Sequence, residues 1–306
     1  MRIAVLATGG VGGYFGARLA ASGEEVHFLA RGRHLAALRA HGLTLESANG
    51  NLQLEPIRVA EDAREIGPVD AVIFAVKLWD TEAAGRSALP LLAPDTAVIS
   101  FQNGVDSLDR LAPILGASHL LGGAAYIGST IAAPGVIRHT GTLARLLFGE
   151  SDGRESARAK AFLAACRKAG IEAELSPEIA REIWAKFALL ASFSGIGCLA
   201  RLPIGRMRGE PETLELLMGA IAEVTALARA KGVELGPDFL ASQAKRIAAM
   251  PAEMKPSMLV DLEHGNRLEL DWLSGTVAHL AEAAGVPAPI HHVVAAALKP
   301  HAMGAA

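Results

Sequence analysis

The chain begins with a strand pattern that runs into a glycine turn and then into a helix pattern, in the sequence RIAVLATGGVGGYFGARL (residues 2–19). Such a turn brings backbone N–H groups and the positive end of a helix toward a phosphate, and its motif is G-x-G-x-x-G. Ala7 replaces the first glycine, and we expect its methyl group to be tolerated with a negative φ. We expect Gly9 to leave room for a pyrophosphate and Gly12 to let the helix pack closely on the strand. The candidate cofactor-binding residues of this turn are Ala7, Thr8, Gly9, Gly10, Val11 and Gly12.

Strand patterns alternate with helix patterns through the first half of the chain. Four short apolar runs, RIAVLAT, EEVHFLA, DAVIFAV and TAVISF, lack strict alternation, which is typical of parallel strands that are buried on both faces. The fold class is therefore α/β, with an N-terminal doubly wound parallel sheet of the Rossmann type. HLLGGAAYIGS and LARLLFGE are predicted as its last strands, with PGVIRHTG as a turn and hairpin between them.

Beyond Pro177 the pattern becomes helical, as in PETLELLMGAIAEVTALARAKG. This change predicts a nucleotide-binding domain over residues 1–176 and an all-helical domain over residues 177–306, with the ligand in the cleft between them. The later helices are predicted at Gly236–Met250, Ser257–His264, Asp271–Ala284 and Ile290–Leu298.

Composition excludes several classes of function. The net charge of −3, from 29 basic and 32 acidic residues, gives no field that would gather nucleic acid or anionic lipid. The two cysteines, Cys166 and Cys198, lie in apolar contexts and predict reduced thiols. IWAKFALLASFSGIGCLA (residues 183–200) is long enough to span a membrane, but Lys186 and its Ser and Gly residues favour a buried helix pair. With no signal-peptide pattern, we expect a cytoplasmic protein.

The end of the second strand pattern bears on the choice of cofactor. NAD enzymes usually place an Asp or Glu there to bind the ribose hydroxyls, whereas this chain has Arg31, with Arg33 close behind. A guanidinium suits a 2′-phosphate that a carboxylate would repel, which favours NADP(H). The alternative is a solvated arginine in a loop.

Two polar side chains follow neighbouring strand patterns. Lys77 comes after DAVIFAV, and Asn103 lies in a Q-N-G turn after TAVISF. The carboxyl ends of parallel strands are where open α/β sheets bind ligands, so both residues are candidate ligand contacts. Ordinary turn chemistry for Asn103 and a solvated loop for Lys77 are the alternatives. Trp79 is interpreted as a packing residue that could border the site.

Four separated stretches of the chain together resemble the ketopantoate reductases, the 2-dehydropantoate 2-reductase family. They are the strand-end lysine in AVKLWD, the FQNG loop, the helix carrying EIWAKF, and KPSMLVDLEHGNRLELDWLSG. The resemblance implies a Rossmann domain followed by a helical domain, with Lys77 and Asn103 lining the cofactor and substrate cleft. It also implies that Lys186 is the general acid, that Ser257 holds the substrate carboxylate, and that Glu269 contacts the cofactor and assists at the reacting centre.

The chemistry of two of these residues agrees with the resemblance. Lys186 lies in a nearly apolar helix pattern, where partial desolvation lowers the pKa of an ammonium toward neutrality and makes it a better proton donor. The alternative is a lysine that snorkels to the surface. Glu269 is flanked by leucines, and a carboxylate near Lys186 would keep the lysine protonated, although an ion-paired glutamate at a helix start is also possible.

The helix after the lysine departs from the family pattern. Typical members carry two substrate-binding asparagines there, in K-L-x-x-N-x-x-x-N-P, and this chain has Leu190 and Ser194 at those positions. A leucine offers no hydrogen bond to a substrate hydroxyl and favours an apolar group.

The sequence therefore predicts NADPH-dependent reduction of a 2-oxo acid, with ketopantoate as the first candidate substrate. The alternatives are a 2-hydroxy acid dehydrogenase for a bulkier apolar substrate and a non-catalytic NADP(H)-binding sensor. The expected partners are a small 2-oxo acid and a second copy of the chain through the helical domain, with no nucleic acid and no membrane. No metal site is expected, because His291 and His292 are adjacent and cannot share a helix face.

Overall fold

The computed structural model describes residues 1–305 of the chain. These residues form two compact units. The first contains residues 1–102 and 106–182, and the second contains residues 103–105 and the chain from residue 183 onward.

A ten-stranded sheet organises the first unit. Its strands are β1 (Arg2–Leu6), β2 (Glu25–Leu29), β3 (Leu43–Glu46), β4 (Leu52–Leu54), β5 (Arg58–Ala60), β6 (Ala71–Phe74), β7 (Ala97–Ser100), β8 (Leu120–Ala133), β9 (Val136–Gly149) and β10 (Glu172–Leu175). The order across the sheet is β4-β3-β9-β8-β7-β6-β1-β2-β5, with β10 beside β9. Only the β3–β4 and β8–β9 pairs are antiparallel. The sheet is therefore dominated by parallel pairs, as the sequence predicts.

Residues 1–305 also contain twelve α-helices, some between the strands and the rest after them. They are α1 (Gly10–Ala21), α2 (Gly32–His41), α3 (Thr81–Ala88), α4 (Ser107–Leu115), α5 (Ala157–Lys168), α6 (Ile179–Ala200), α7 (Ile204–Gly209), α8 (Pro211–Ala230), α9 (Phe239–Ala249), α10 (Ser257–Glu263), α11 (Ser274–Ala284) and α12 (Pro289–Leu298). Short 3₁₀ turns at 63–65, 78–80, 89–91, 117–119, 270–272 and 299–301 complete the secondary structure.

Successive residues of the central strands enter two separate hydrophobic cores. In β1, Ile3 and Val5 belong to a core that includes Phe15 of α1 and Phe162 of α5. The intervening residues Ala4 and Leu6 belong to a second core, with α3 and α4. Because side chains alternate between the faces of a strand, this division covers both faces of the sheet with helices. The apolar, non-alternating strand patterns are thereby explained.

The last two predicted strands are longer than the sequence indicates. β8 and β9 each contain 14 residues and pair antiparallel, so most of PGVIRHTG belongs to β9 and the turn lies at residues 134–135. The ladder continues through a register shift between Ile127 and Gly128, and the start of β9 also pairs with β3. The predicted turn and hairpin at PGVIRHTG are therefore confirmed, but the turn contains only Pro134 and Gly135, because pairing on both sides of β9 extends the strand. The sequence does not predict strands β3, β4, β5 and β10, because these short, partly exposed segments mix polar with apolar residues and form no apolar run like those of β6 and β7.

The second unit is almost entirely helical, as predicted. The expected helices at 236–250, 257–264 and 290–298 are observed as α9, α10 and α12, and α11 is preceded by a separate 3₁₀ turn at residues 270–272. The predicted helix pair over 183–200 is wrong, because α6 is one continuous helix of 22 residues. By length and composition α6 could cross a membrane, but 67% of its most apolar window is buried inside the protein. It is a core helix.

Candidate active site

The glycine turn lies between β1 and α1, as predicted, and it is tied to the end of β2. The backbone N–H and the hydroxyl of Thr8 both donate to the carbonyl oxygen of Leu29, each at 2.9 Å. Ala7 has a φ of +77°, so the expectation of a negative φ is wrong. Between the end of β1 and the bonds of Thr8 to Leu29, the backbone of Ala7 thus lies in the left-handed region that favours glycine.

The glycines of the turn have different surroundings. A Cβ on Gly12 would collide with the carbonyl oxygen of Ala7, and one on Gly10 would collide with the backbone of Ser129. These two glycines let α1 pack closely on its neighbours. A Cβ on Gly9 would meet no atom within 4 Å. Gly9 therefore borders open space in front of the N-terminus of α1, the arrangement that suits a phosphate.

The left-handed conformation of Ala7 leads to a stability prediction. We expect Ala7→Gly to raise the free energy of unfolding by about 0.5–1 kcal/mol, because relief of the left-handed strain outweighs the greater freedom of glycine in the unfolded chain. Chemical denaturation measures the change. Ala4→Gly, in the buried strand β1 that precedes the turn, is the control and should be destabilising. A loss of stability in Ala7→Gly would contradict the strain.

Arg31 follows β2 and is the N-cap residue of α2. Arg31 and Arg33 are both exposed. The parallel pairing of β1 with β2 brings the end of β2 beside the glycine turn. Arg31 thus lies beyond the carboxyl end of β2, on the side of the sheet where the sequence predicts it.

His34 links the turn to the hairpin and was missed by the sequence reasoning. Its Nδ1 atom accepts a hydrogen bond from the backbone N–H of Gly135 at 3.0 Å, so the ring proton is on Nε2. Burial lowers the pKa of His34, while the backbone of Thr8 acts in the opposite direction. The imidazole therefore lies between the β8–β9 turn and the glycine turn. No local pattern marks this role, since Gly135 is 101 residues away in the sequence.

Lys77 follows β6 and precedes the 3₁₀ turn at residues 78–80. The side chain is exposed, and its Nζ atom lies 5.5 Å from the centroid of the Trp79 ring. β6 pairs with β1, so Lys77 leaves the same edge of the sheet as the glycine turn. Trp79 thus lies beside the lysine, and its place at the border of a ligand site stays a prediction.

In the second unit, Lys186 is surrounded by Asn103, Glu269 and Arg246, a group that we call the Lys186 cluster. The Nζ atom of Lys186, on α6, donates a hydrogen bond to Oδ1 of Asn103 at 2.9 Å. Glu269, at the start of the 3₁₀ turn at residues 270–272, is only 7% exposed. Burial lowers the pKa of Lys186 to about 8, the Glu269 carboxylate opposes this shift, and Arg246 of α9 adds to it. The structure thus brings together three predicted residues, and Arg246 joins them without a signal in the sequence.

The pKa of Lys186 predicts the pH dependence of a reaction that needs its proton. For NADPH-dependent reduction of a 2-oxo acid, kcat/KM should be level below about pH 8 and fall roughly tenfold per unit above it, because only the ammonium form donates. Glu269→Gln should move the break to lower pH, and Arg246→Gln should move it to higher pH, since the two charges act on Lys186 in opposite directions. A break that neither variant moves would contradict the assignment to Lys186.

The remaining predicted substrate residues have different exposures. Leu190 is half-buried, one helical turn after Lys186, and Ser257 is the exposed first residue of α10. Ser194 is fully buried, and its hydroxyl has no hydrogen-bond partner within residues 1–305. Contact of these three residues with a substrate stays a prediction.

The adjacent histidines differ in their surroundings. His291 is fully buried, where its Nε2 atom lies 3.1 Å from the carbonyl oxygen of Ala220, while His292 is exposed. Burial lowers the pKa of His291 to about 4. Across the described chain, no group of three or more His, Cys, Asp or Glu residues could hold a metal ion.

Two family models match the chain in succession. The model described as ketopantoate reductase PanE/ApbA matches residues 3–153, and the model of its C-terminal domain matches residues 178–302. Together they cover most of both units.

Known proteins of similar length match the chain from end to end. The 2-dehydropantoate 2-reductase of Mesorhizobium japonicum is 31% identical over 322 residues, covering 98% of this chain and 97% of that protein. An uncharacterized oxidoreductase, YkpB, of Bacillus subtilis is 30% identical over 299 residues, covering 98% of both chains. The crystal structure of the 2-dehydropantoate 2-reductase from Geobacter metallireducens has a TM-score of 0.91 at 30% identity, covering 98% of this chain and 99% of that one.

A D-mandelate dehydrogenase, solved with NADH and anilino(oxo)acetate, has the same fold, with a TM-score of 0.90 at 20% identity over 98% of both chains. The matches to the reductases confirm the resemblance seen in the sequence. The chain belongs to the ketopantoate reductase family, a family of NADP-dependent oxidoreductases that reduce small 2-oxo acids.

Proposed function

We propose that this enzyme uses NADPH to reduce the C2 carbonyl of a 2-oxo acid to a 2-hydroxy acid, with ketopantoate as the first candidate substrate and pantoate as its product. The observation that carries the proposal is the Lys186 cluster. Lys186, with a pKa of about 8, donates to Asn103 at 2.9 Å and is held protonated by the field of Glu269. A proton donor with a pKa near the working pH is what carbonyl reduction requires.

The residues of the first unit fit a dinucleotide. Gly9 offers open space, and α1 presents its N-terminal N–H groups to that space. Arg31 would bind the 2′-phosphate, which favours NADPH over NADH. Lys77 is proposed as a further cofactor contact of this unit, and Asn103 and Glu269 as cofactor contacts of the second unit. When bound, NADPH supplies a hydride to the carbonyl carbon.

The side chains of the second unit would handle the proton and the substrate. As the carbonyl oxygen gains negative charge, Nζ of Lys186 transfers a proton to it and is later reprotonated from solvent. Oδ1 of Asn103 aims the ammonium, and the amide group of Asn103 can donate to the substrate. Ser257 would hold the substrate carboxylate. Lys186 and Glu269 are thus proposed as the catalytic residues.

A second candidate substrate class rests on Leu190. Its side chain lies one helical turn after the proposed acid, at a position where family members carry an asparagine. An apolar side chain there would favour a 2-oxo acid with a bulkier apolar substituent over one with a hydroxyl group. Ser194, at the second asparagine position, would give no compensating contact while it stays buried.

We also propose that residues 1–176 bind NADP(H), that residues 177–306 bind the substrate and form a homodimer, and that the enzyme acts in the cytoplasm. A dimer interface is suggested by exposed apolar side chains on three helices of the second unit, Leu199 of α6, Leu216 of α8 and Val293 of α12. Sedimentation as a monomer at micromolar concentration would contradict the dimer.

NADPH consumption by the purified enzyme tests the proposed reaction. Ketopantoate should be compared with branched and aromatic 2-oxo acids, using kcat/KM for each. Highest kcat/KM with ketopantoate supports the first candidate, and a preference for apolar acids supports the second. A folded protein that binds NADPH and reduces none of them would leave the non-catalytic sensor as the remaining interpretation.

A further inference from the structure

The segment that carries Lys77 is held by a buried glutamine from the neighbouring strand. Gln102, two residues after β7, is 6% exposed. Its Nε2 atom donates to the carbonyl oxygen of Val76 at 3.1 Å and to Oγ1 of Thr81 at 2.8 Å. Its Oε1 atom accepts from the hydroxyl of Ser100 at 3.3 Å. Both donors and the acceptor of this amide are therefore used.

Further hydrogen bonds hold the other side of Lys77. The hydroxyl of Thr81, a fully buried residue, donates to the carbonyl oxygen of Leu78 at 2.9 Å. Arg110 of α4 donates to the same oxygen at 2.8 Å and forms an ion pair with Glu82 at 2.7 Å. The backbone carbonyls of residues 76 and 78, which flank Lys77, are thus both anchored by side chains.

We propose that Gln102 is a positioning residue for the reaction, because with Thr81 it fixes the backbone that carries Lys77. The inference rests on the proposed function, in which Lys77 contacts the cofactor. A loop of this kind gains precision from buried hydrogen bonds, and small displacements of a contact residue lower the rate of a positioned reaction. Asn103 follows Gln102 directly in the chain.

A simple structural role for Gln102 predicts a different outcome from a positioning role. If the role is only structural, loss of the buried hydrogen bonds of Gln102 lowers the free energy of unfolding and leaves the kinetics of the folded enzyme unchanged. A positioning role acts through Lys77, so its effect should disappear once the Lys77 side chain is removed. A double-mutant cycle separates the two.

The experiment compares Gln102→Leu in the wild-type and Lys77→Ala backgrounds. We expect Gln102→Leu to lower kcat/KM for the 2-oxo acid by roughly 10–100-fold in the wild type and by less than about threefold in Lys77→Ala, because the positioned group is then absent. Thr81→Val removes the hydroxyl that joins Gln102 to the carbonyl oxygen of Leu78, and it changes the side chain less. It should lower kcat/KM in the wild type and have little effect in Lys77→Ala. If Gln102→Leu lowers kcat/KM by the same factor in the wild-type and Lys77→Ala backgrounds, the proposal is overturned.

Thr96→Val is the matched control. Thr96 is as buried as Thr81, and its hydroxyl donates to the carbonyl oxygen of Val69 at 2.5 Å. Thr96 directly precedes β7, however, whereas Gln102 follows the other end of that strand. We expect a comparable loss of stability with kcat/KM within about twofold of wild type, since a buried hydroxyl is lost away from the proposed site. If Thr96→Val lowers kcat/KM as much as Thr81→Val, the positioning role is refuted.

Amide hydrogen exchange gives a readout that does not depend on turnover. Gln102→Leu should increase exchange in residues 76–82 by about tenfold or more, with no change in β1, because the opening is local. Unchanged exchange in this segment would overturn the positioning role even in an active enzyme. Faster exchange in a protein whose wild type reduces no 2-oxo acid would instead count against the proposed function alone.

Discussion

Replacement of Lys186 by methionine is expected to lower kcat for 2-oxo acid reduction by about 10²–10⁴-fold, the usual contribution of a positioned general acid. Methionine keeps much of the length and apolar character of the lysine side chain but has no proton to give. Asn103, at 2.9 Å, and the field of Glu269 hold the Lys186 ammonium in place. A water molecule would not be held in the same way and is a poorer replacement for this proton donor. NADPH affinity, measured by fluorescence titration, should change by less than about threefold, because the lost interaction belongs to proton transfer.

Lys231→Met is the matched control for this variant. Lys231 is exposed at the C-terminal end of α8, and its replacement should leave kcat unchanged. Unaltered reduction by the Lys186 variant would rule out the proposed acid. A large loss of NADPH binding would instead indicate that Lys186 serves the cofactor.

Arg31→Ala is expected to raise the KM for NADPH by roughly 10–100-fold, because charge-assisted hydrogen bonds to a phosphate contribute about 1.5–3 kcal/mol. The KM for NADH should change by less than about threefold, since NADH carries no 2′-phosphate. Arg31 is exposed beside the glycine turn, so the variant removes charge without opening a cavity.

Steady-state kinetics with both cofactors measures the effect of Arg31. Arg39→Ala, an exposed arginine in the last turn of the same helix, is the control and should affect neither cofactor. Equal losses for NADPH and NADH would contradict a 2′-phosphate contact. An unchanged KM for NADPH would leave Arg31 as a solvated arginine.

The sequence predicts the features of this protein that depend on local pattern. The buried strands β1, β2, β6 and β7 are confirmed, since continuous apolar runs between turn residues specify them. The helical character of the second half is confirmed for the same reason. The glycine turn is confirmed in position, but the expectation of a negative φ at Ala7 is wrong, since the turn is also tied by Thr8 to Leu29, 21 residues away.

The links within the site depend on residues that are distant in the sequence. Lys186 and Asn103 are 83 residues apart, and only the resemblance to a known family predicted that they act together. Gln102 lies in the FQNG motif, but its contacts with Val76 and Thr81 depend on the register of β6 with β7, which the motif does not specify. The chemical character of a single residue can be recognised in the sequence, but its hydrogen-bond partners depend on how the whole sheet packs.

Transfer of deuterium from NADPH that carries two deuterium atoms at the reactive carbon of its nicotinamide tests the central claim most directly. The enzyme is incubated with labelled NADPH and the 2-oxo acid that gives the highest kcat/KM, and the product is analysed by mass spectrometry and NMR. Our account predicts one deuterium at C2 of the 2-hydroxy acid, and a rate of labelled product formation that is lowered about 10²–10⁴-fold in Lys186→Met. An enzyme that binds NADPH but gives no labelled 2-hydroxy acid, or a Lys186→Met variant that gives it at the wild-type rate, would contradict the account.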